Sequence, residues 1–222
     1  MNESSNPAYK RGFQDFYGRD FIVTPDVLMP RPETEAIIDI VKSLAGKSIL
    51  PGVKAPTARI AENAKIIDVG TGSGCIAITI KKELPLTEVT GVDIDESALK
   101  IAGENAKKQD AEIALKQSDL LKNINENYDI IIANLPYVDP EWDWLDKDAL
   151  SIEPAIALYA EDHGLALIKE LIKQAKNKTT YLILEADPCQ HEEIIEYAAK
   201  NGFQHLETSG FALLFNSCTH QE

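Results

Sequence analysis

The chain has 222 residues, enough for one domain with a sizeable core and a short extension. Its hydrophobic content of 44% and charged content of 26% suit a folded globular protein, and no apolar run approaches the ~20 residues that a membrane helix needs. A net charge of −14 argues against nucleic acid as a partner, since binding to phosphates draws on lysine and arginine.

Met1 to Asn6 lack the positive start and apolar centre of a signal peptide, so a cytoplasmic location is expected. A short strand at residues 21–24 leads into a proline-rich turn, and Pro32 then opens a helix. Proline suits the first helical position, Glu33 and Glu35 favour the positive end of the helix dipole, and Ala36, Ile37, Ile40, Val41 and Leu44 follow at helical spacing. Residues 46–64, with Pro51, Gly52 and Pro56, read as a connector. This divides the chain into an N-terminal extension (1–45), the connector (46–64) and a main domain (65–222).

From Lys65 strands and helices alternate. Strands are expected at 65–69, 88–92, 112–116, 129–133 and 181–185, and helices at 75–83, 96–108, 164–176 and 192–201. Two closing strands near 203–207 and 211–215 flank Ser209-Gly210 as a hairpin. The pattern predicts an α/β fold with a Rossmann-like, mostly parallel sheet, and ligands beyond the carboxyl ends of its strands.

Two strand ends carry chemistry. The run from Asp68 through Gly70, Thr71, Gly72, Ser73 and Gly74 places glycine at alternate positions, where a ligand can approach the backbone without meeting a Cβ. Cys75 stands where a dinucleotide fingerprint wants glycine or alanine. Asp93, which with Ile94 ends the next strand, can accept hydrogen bonds from both ribose hydroxyls of a nucleoside. These residues leave NAD and S-adenosylmethionine both open. The arrangement resembles the S-adenosylmethionine-dependent class I methyltransferases, which have a seven-stranded sheet and place adenine contacts after the third strand, here Asp119 and Leu120.

At the end of the fourth strand stand Asn134, Leu135, Pro136 and Tyr137. Such a tetrapeptide suits transfer of a methyl group to a planar NH2. The Asn134 side-chain carbonyl can accept one N–H of the target and the Leu135 backbone carbonyl the other, which positions the nitrogen and stabilises charge developing on it. Pro136 restrains the residue before it, and Tyr137 offers an aromatic wall. Asn134 also borders the expected cofactor site.

These motifs resemble the HemK/PrmC family, the glutamine methyltransferases of peptide chain release factors. Pro30-Arg31-Pro32-Glu33-Thr34-Glu35 is similar to the family's PRPxTE segment, Asn134–Tyr137 to its NPPY motif, and Glu153-Pro154 with Ala157-Leu158 and Asp162-His163-Gly164-Leu165 to its EPxxAL…DGL stretch. Glu185 and Gln190 keep family spacing, with Asp187 where glycine is usual. The resemblance implies S-adenosylmethionine as cofactor and a release factor's Gly-Gly-Gln glutamine as substrate. It also implies that Arg31, Pro32, Glu33, Thr34 and Glu35 cover the substrate site. Only about twenty residues precede Phe21, where bacterial members carry a helical docking domain, so either the sequence is a piece of a longer chain or the protein recognises its substrate by another route, such as an activator subunit.

Leu135 replaces the family's first proline, and its proposed role uses only a backbone carbonyl. The Asn-Leu-Pro-Tyr form also occurs in rRNA adenine dimethyltransferases, which keeps an amino-methyltransferase of RNA or DNA as the alternative. A cofactor-binding subunit that needs a partner is a third reading. Trp142 and Trp144 read equally as a partner surface or a cap on the core. Cys75, Cys189 and Cys218 lack the spacing of a disulfide framework or zinc site, and no metal is expected.

Overall fold

The computed structural model describes residues 7–46, 60–145 and 153–218. The elements run α1 (Pro7–Arg11), β1 (Phe13–Phe16), β2 (Arg19–Ile22), a 3-10 turn (Pro32–Thr34), α2 (Glu35–Leu44), β3 (Lys65–Val69) and α3 (Cys75–Glu83). There follow β4 (Glu88–Asp93), α4 (Glu96–Lys108), β5 (Ala114–Gln117), β6 (Tyr128–Ala133), α5 (Ala155–Leu158), α6 (Ala166–Ala175) and β7 (Thr179–Glu185). A 3-10 turn (Pro188–Gln190), α7 (His191–Lys200), β8 (Phe203–Ser209) and β9 (Ala212–Ser217) complete the elements of the described residues. Most of the expected connector, residues 47–59, lies outside the described residues. No helix among them is long and apolar enough to cross a membrane.

The seven-stranded sheet has the order β5-β4-β3-β6-β7-β9-β8. The first five strands are parallel, and β9 runs antiparallel between β7 and β8. Ile66, Ile67, Ile130, Ile131, Ile132, Leu182, Ile183 and Leu184 are fully buried, as expected of central strands covered on both faces. The order reverses between β3 and β6, whose carboxyl ends adjoin in register, Val69 beside Ala133. A crevice therefore opens just beyond those two ends.

Several boundaries differ from the sequence expectation. The strand expected at 21–24 is the second arm of a hairpin, β1–β2, turned by Tyr17 (φ 52°) and Gly18 (φ 71°). Positive φ at both central residues is the twist-matched hairpin turn, but tyrosine is a weak signal for it compared with asparagine or aspartate. At Pro32 the chain makes a 3-10 turn before α2 begins at Glu35. The edge strand β5 is shorter than expected, and α6 starts later because Asp162, His163 and Gly164 all take positive φ.

The N-terminal hairpin and α2 share a core with α3 and one face of the sheet, where Phe16, Phe21, Ile37, Ile38, Val41 and Leu44 pack with Ile66, Ile78 and Ile132. Asn105 of α4 secures this join. Its buried side-chain oxygen accepts from the Ile22 N–H at 2.7 Å, and its amide donates to the Ile22 carbonyl at 3.0 Å and the Ser73 carbonyl at 2.9 Å. One side chain thus completes the edge of β2 and braces the glycine turn. Asn105→Ala is expected to lower stability by about 2–3 kcal/mol, because buried backbone groups lose partners. Urea unfolding should show a lower midpoint with an unchanged slope.

Candidate active site

The glycine turn after β3 forms the floor of a cavity of about 270 Å³. Backbone N–H groups of Gly70 and Thr71 donate to the Val92 carbonyl at 2.8 and 2.9 Å, which ties the turn to β4. Gly70 has φ 73°, and a Cβ there would lie 3.0 Å from Leu135 Cδ2. Glycine is needed for both reasons, since the turn from β3 passes directly under the segment leaving β6.

Three carboxylates surround this floor. Asp93 lines the cavity, accepting from Gly72 N–H at 2.9 Å and Asp95 N–H at 3.0 Å, with lone pairs left for a ligand. Burial raises its pKa. Asp68 is fully buried behind the turn; its Oδ2 accepts from Thr71 Oγ1 at 2.6 Å and Ala77 N–H at 3.3 Å. Its Oδ1 has no partner among the described residues, and burial lifts the carboxyl to about 7. Glu185, at the end of β7 and 1% exposed, is likewise raised to about 7 by burial, against the hydrogen bond from Thr34 and with help from the charge of Glu33.

Asn134 stands at the cavity wall between the two halves of the site. Its Nδ2 donates to Glu185 Oε1 at 2.9 Å and to Thr34 Oγ1 at 3.2 Å. Thr34 is buried in the 3-10 turn at the head of α2, so the N-terminal segment reaches the centre of the site. The Arg31 guanidinium pairs with the buried Glu153 carboxylate, which also accepts from Met29 N–H at 3.4 Å. Residues 26–31 form one wall of the cavity.

Gly70, Thr71, Gly72, Ser73, Asp93, Ile94, Asp119, Leu120, Asn134, Leu135 and Pro136 line this cavity, as do Arg31 and Thr34 of the expected cover. Other candidates stand elsewhere. Asp68 and Gly74 lie behind the turn, where a Gly74 Cβ would sit 2.9 Å from Ile78 Cδ1, so both support it from outside the cavity wall. Pro32 and Glu33 are exposed. Glu35 turns away and accepts from the Tyr17 N–H at 2.7 Å, fastening the hairpin to α2. Tyr137 is outside the wall as well, with its hydroxyl 3.5 Å from Glu185 Oε1. Burial and the Glu185 charge raise its pKa.

Gln190 and Gly164 fix the backbone that follows residues 134–137. Gln190 Nε2 donates to the carbonyls of Tyr137 and His163, each at 2.9 Å. Gly164 has φ 84°, and a Cβ there would fall 2.0 Å from the Tyr137 carbonyl oxygen. Family spacing singled out Glu185, Gln190 and Gly164, but linear sequence gave no sign that all three converge on residues 134–137. His163 Nδ1 also sits 2.8 Å from Asp139 Oδ2, a pair hidden in sequence by a separation of 24 positions. Trp142 and Trp144 stack at 5.2 Å between ring centroids, and Trp144 is 66% exposed, which rules it out as a cap on the core.

A parallel sheet closed by an antiparallel hairpin, with a glycine turn and an acidic strand end facing a crevice at the switch point, defines a class I methyltransferase fold. A family model, the Methyltransferase small domain, matches residues 52–149. A release factor glutamine methyltransferase of Flavobacterium psychrophilum is 33% identical over 212 residues, covering 92% of this chain and 70% of that protein. One from Koribacter versatilis is 41% identical over 169 residues, covering 75% of this chain and 56% of that protein. The Thermus thermophilus 16S rRNA N2 G1207 methyltransferase, solved in complex with AdoMet and guanosine, has a TM-score of 0.64 at 15% identity. That likeness covers 92% of this chain and 49% of that one, and it bears on fold alone. The chain belongs to the release factor glutamine methyltransferase family. It spans little more than half the length of several curated relatives that it matches.

S-adenosylmethionine is the cofactor of this class, and the residues fit it. The Gly70 cradle admits close backbone approach, Asp93 has acceptor capacity for ribose, and unneutralised carboxylates favour a cationic ligand. A cation entering the cavity stabilises ionised Asp68, so protons leave as it binds. Calorimetry at pH 6.5 in buffers of different ionisation heat should show net proton release on cofactor binding. Release should be smaller in Asp68→Asn and vanish above about pH 8, where the carboxyl is already ionised.

Proposed function

We propose that this protein transfers a methyl group from S-adenosylmethionine to the side-chain amide nitrogen of a glutamine in a peptide chain release factor, within its Gly-Gly-Gln motif. The observation that carries this reading is the state of Asn134. Both N–H bonds of its amide are directed to Glu185 and Thr34, so its Oδ1 is the atom left to accept from a substrate. A planar NH2 needs an acceptor of this kind.

Asn134 Oδ1 would accept one N–H of the substrate amide and the Leu135 carbonyl the other. These bonds place the nitrogen for in-line attack and grow stronger as it becomes positive. Leu135 supports this as a backbone acceptor: Pro136 restrains it, and its side chain packs over Gly70. S-adenosylmethionine held there would supply an electrophilic methyl, its sulfonium leaving as a neutral thioether with the C–S electron pair, while Asn134 Oδ1 and the Leu135 carbonyl would hold the amide nitrogen, which would give one proton to solvent. Asp93 and Asp119 would hold the nucleoside, with Ile94 and Leu120 against the adenine.

The charge of the cavity favours a protein substrate over nucleic acid. Its described lining residues include Asp26, Asp93, Asp95 and Asp119, the last paired with Lys122, and the cation among them, Arg31, is paired with Glu153. Phosphates would meet this acidic mouth unfavourably. A docking element or activator subunit would supply the remaining contact with the release factor, and the exposed Trp144 is a candidate anchor for it.

The test is incubation with methyl-labelled S-adenosylmethionine and, separately, a release factor and RNA from the same organism. Label should appear on the Gly-Gly-Gln peptide and fall at least ~100-fold in Asn134→Ala, the order expected for loss of a preorganised polar contact. Label on RNA alone would overturn the substrate assignment.

A further inference from the structure

We propose that Glu185 is the positioning residue of this site: its carboxylate, together with the Thr34 hydroxyl, occupies both N–H bonds of the Asn134 amide and so fixes Oδ1 as the atom presented to the substrate nitrogen. This rests on the reading of Asn134 as the substrate acceptor. An asparagine amide has two faces of similar shape and opposite function. Turned by 180°, it would present Nδ2, a donor, to a substrate NH2 that is itself a donor, and attack would be blocked.

Geometry ties the choice to Glu185. Its Oε1 lies 2.9 Å from Asn134 Nδ2, the shorter of the two amide contacts, and the residue is 1% exposed. An ionised carboxylate can only accept, so a reversed Asn134 would set oxygen against oxygen inside the protein. A hydroxyl such as Thr34 can accept or donate and cannot enforce the choice alone. Glu185 Oε2 has no partner among the described residues, which makes it the natural place for a proton. Protonation there removes the charge that makes the Oε1 contact strong.

The groups facing Glu185 are Thr34 and Glu33 from the 3-10 turn, Asn134 and Tyr137 from the segment after β6, and the Cys75 thiol at the start of α3. Tyr137 and Cys75 stay neutral, with Cys75 pushed up to about 12, chiefly by burial. Asp68, behind the glycine turn, is likewise raised to about 7, so a midpoint near 7 is assigned by its loss in Glu185→Gln, which changes only Glu185. Burial raises it to about 7, so the grip is complete above that pH and weakens as pH falls through it.

The experiment compares wild type, Glu185→Ala and Glu185→Gln at saturating cofactor, with the side-chain amide of Asn134 followed by NMR in the ligand-free proteins. Glu185→Ala should lose roughly 100-fold in kcat at saturating cofactor, the scale of a misplaced contact. Glu185→Gln can donate as well as accept, like protonated Glu185, so it should hold kcat at the lowered level that wild type reaches below pH 7 and show no further decline there. The Asn134 amide signals of wild type should shift with a midpoint near 7, and those of Glu185→Gln should not. Wild-type kcat with a wild-type pH profile in both variants would overturn the proposal, as would Asn134 signals indifferent to pH. The amide titration needs no substrate, so it decides the role of Glu185 even if the release-factor assay fails.

Discussion

The amide of Asn134 joins three separate stretches of chain. It leaves the carboxyl end of β6, meets Thr34 from the N-terminal segment, and meets Glu185 at the end of the neighbouring strand β7. A side chain held at three points loses its freedom before any substrate arrives, which is what a preorganised polar contact requires. Much of the surrounding architecture serves that placement. The parallel pairing of β6 with β3 and β7 sets the strand ends level, and the ion pair of Arg31 with Glu153 holds the proline-rich segment against the site.

Burial of carboxylates is the accompanying cost. Asp68 and Glu185 each carry an oxygen with no protein partner, and desolvation lifts both to about 7. Folding would be easier with neutral groups at these positions, because ionising a raised carboxyl above its folded pKa works against the native state. The return lies in electrostatics: negative charge in a low-dielectric crevice attracts a cationic cofactor, and an acceptor-only group enforces one orientation of an amide. Strain is placed similarly. Gly70 and Gly164 hold positive φ where another backbone or side chain leaves no room for a Cβ, and both positions bear on residues 134–137.

Much of this was legible in the chain because the signals were local. The alternation of apolar runs with helical spacing revealed the parallel sheet, and the glycine turn, Asp93 and the Asn134–Tyr137 clamp each announce themselves within a few residues. What escaped notice depends on contacts across long sequence distance. Glu35 reads as a residue at the head of a helix, yet its carboxylate serves the turn of a hairpin 18 residues earlier. Tyr137 reads as a wall of the pocket, yet it faces Glu185. Asn105 looks like one polar residue in an amphipathic helix, although it is buried and completes a strand edge. Family spacing pointed to Glu185 and Gln190; only the pairing of β6 with β7 shows what they touch.

The most direct measurement is a crystal structure of the protein with S-adenosylhomocysteine and a Gly-Gly-Gln peptide. The account requires the glutamine Nε2 to lie about 3 Å from both Asn134 Oδ1 and the Leu135 carbonyl oxygen, the distance of an N–H···O bond, with the sulfur in line beyond it. A glutamine bound with its side-chain oxygen toward Asn134, or outside reach of both acceptors, would contradict it.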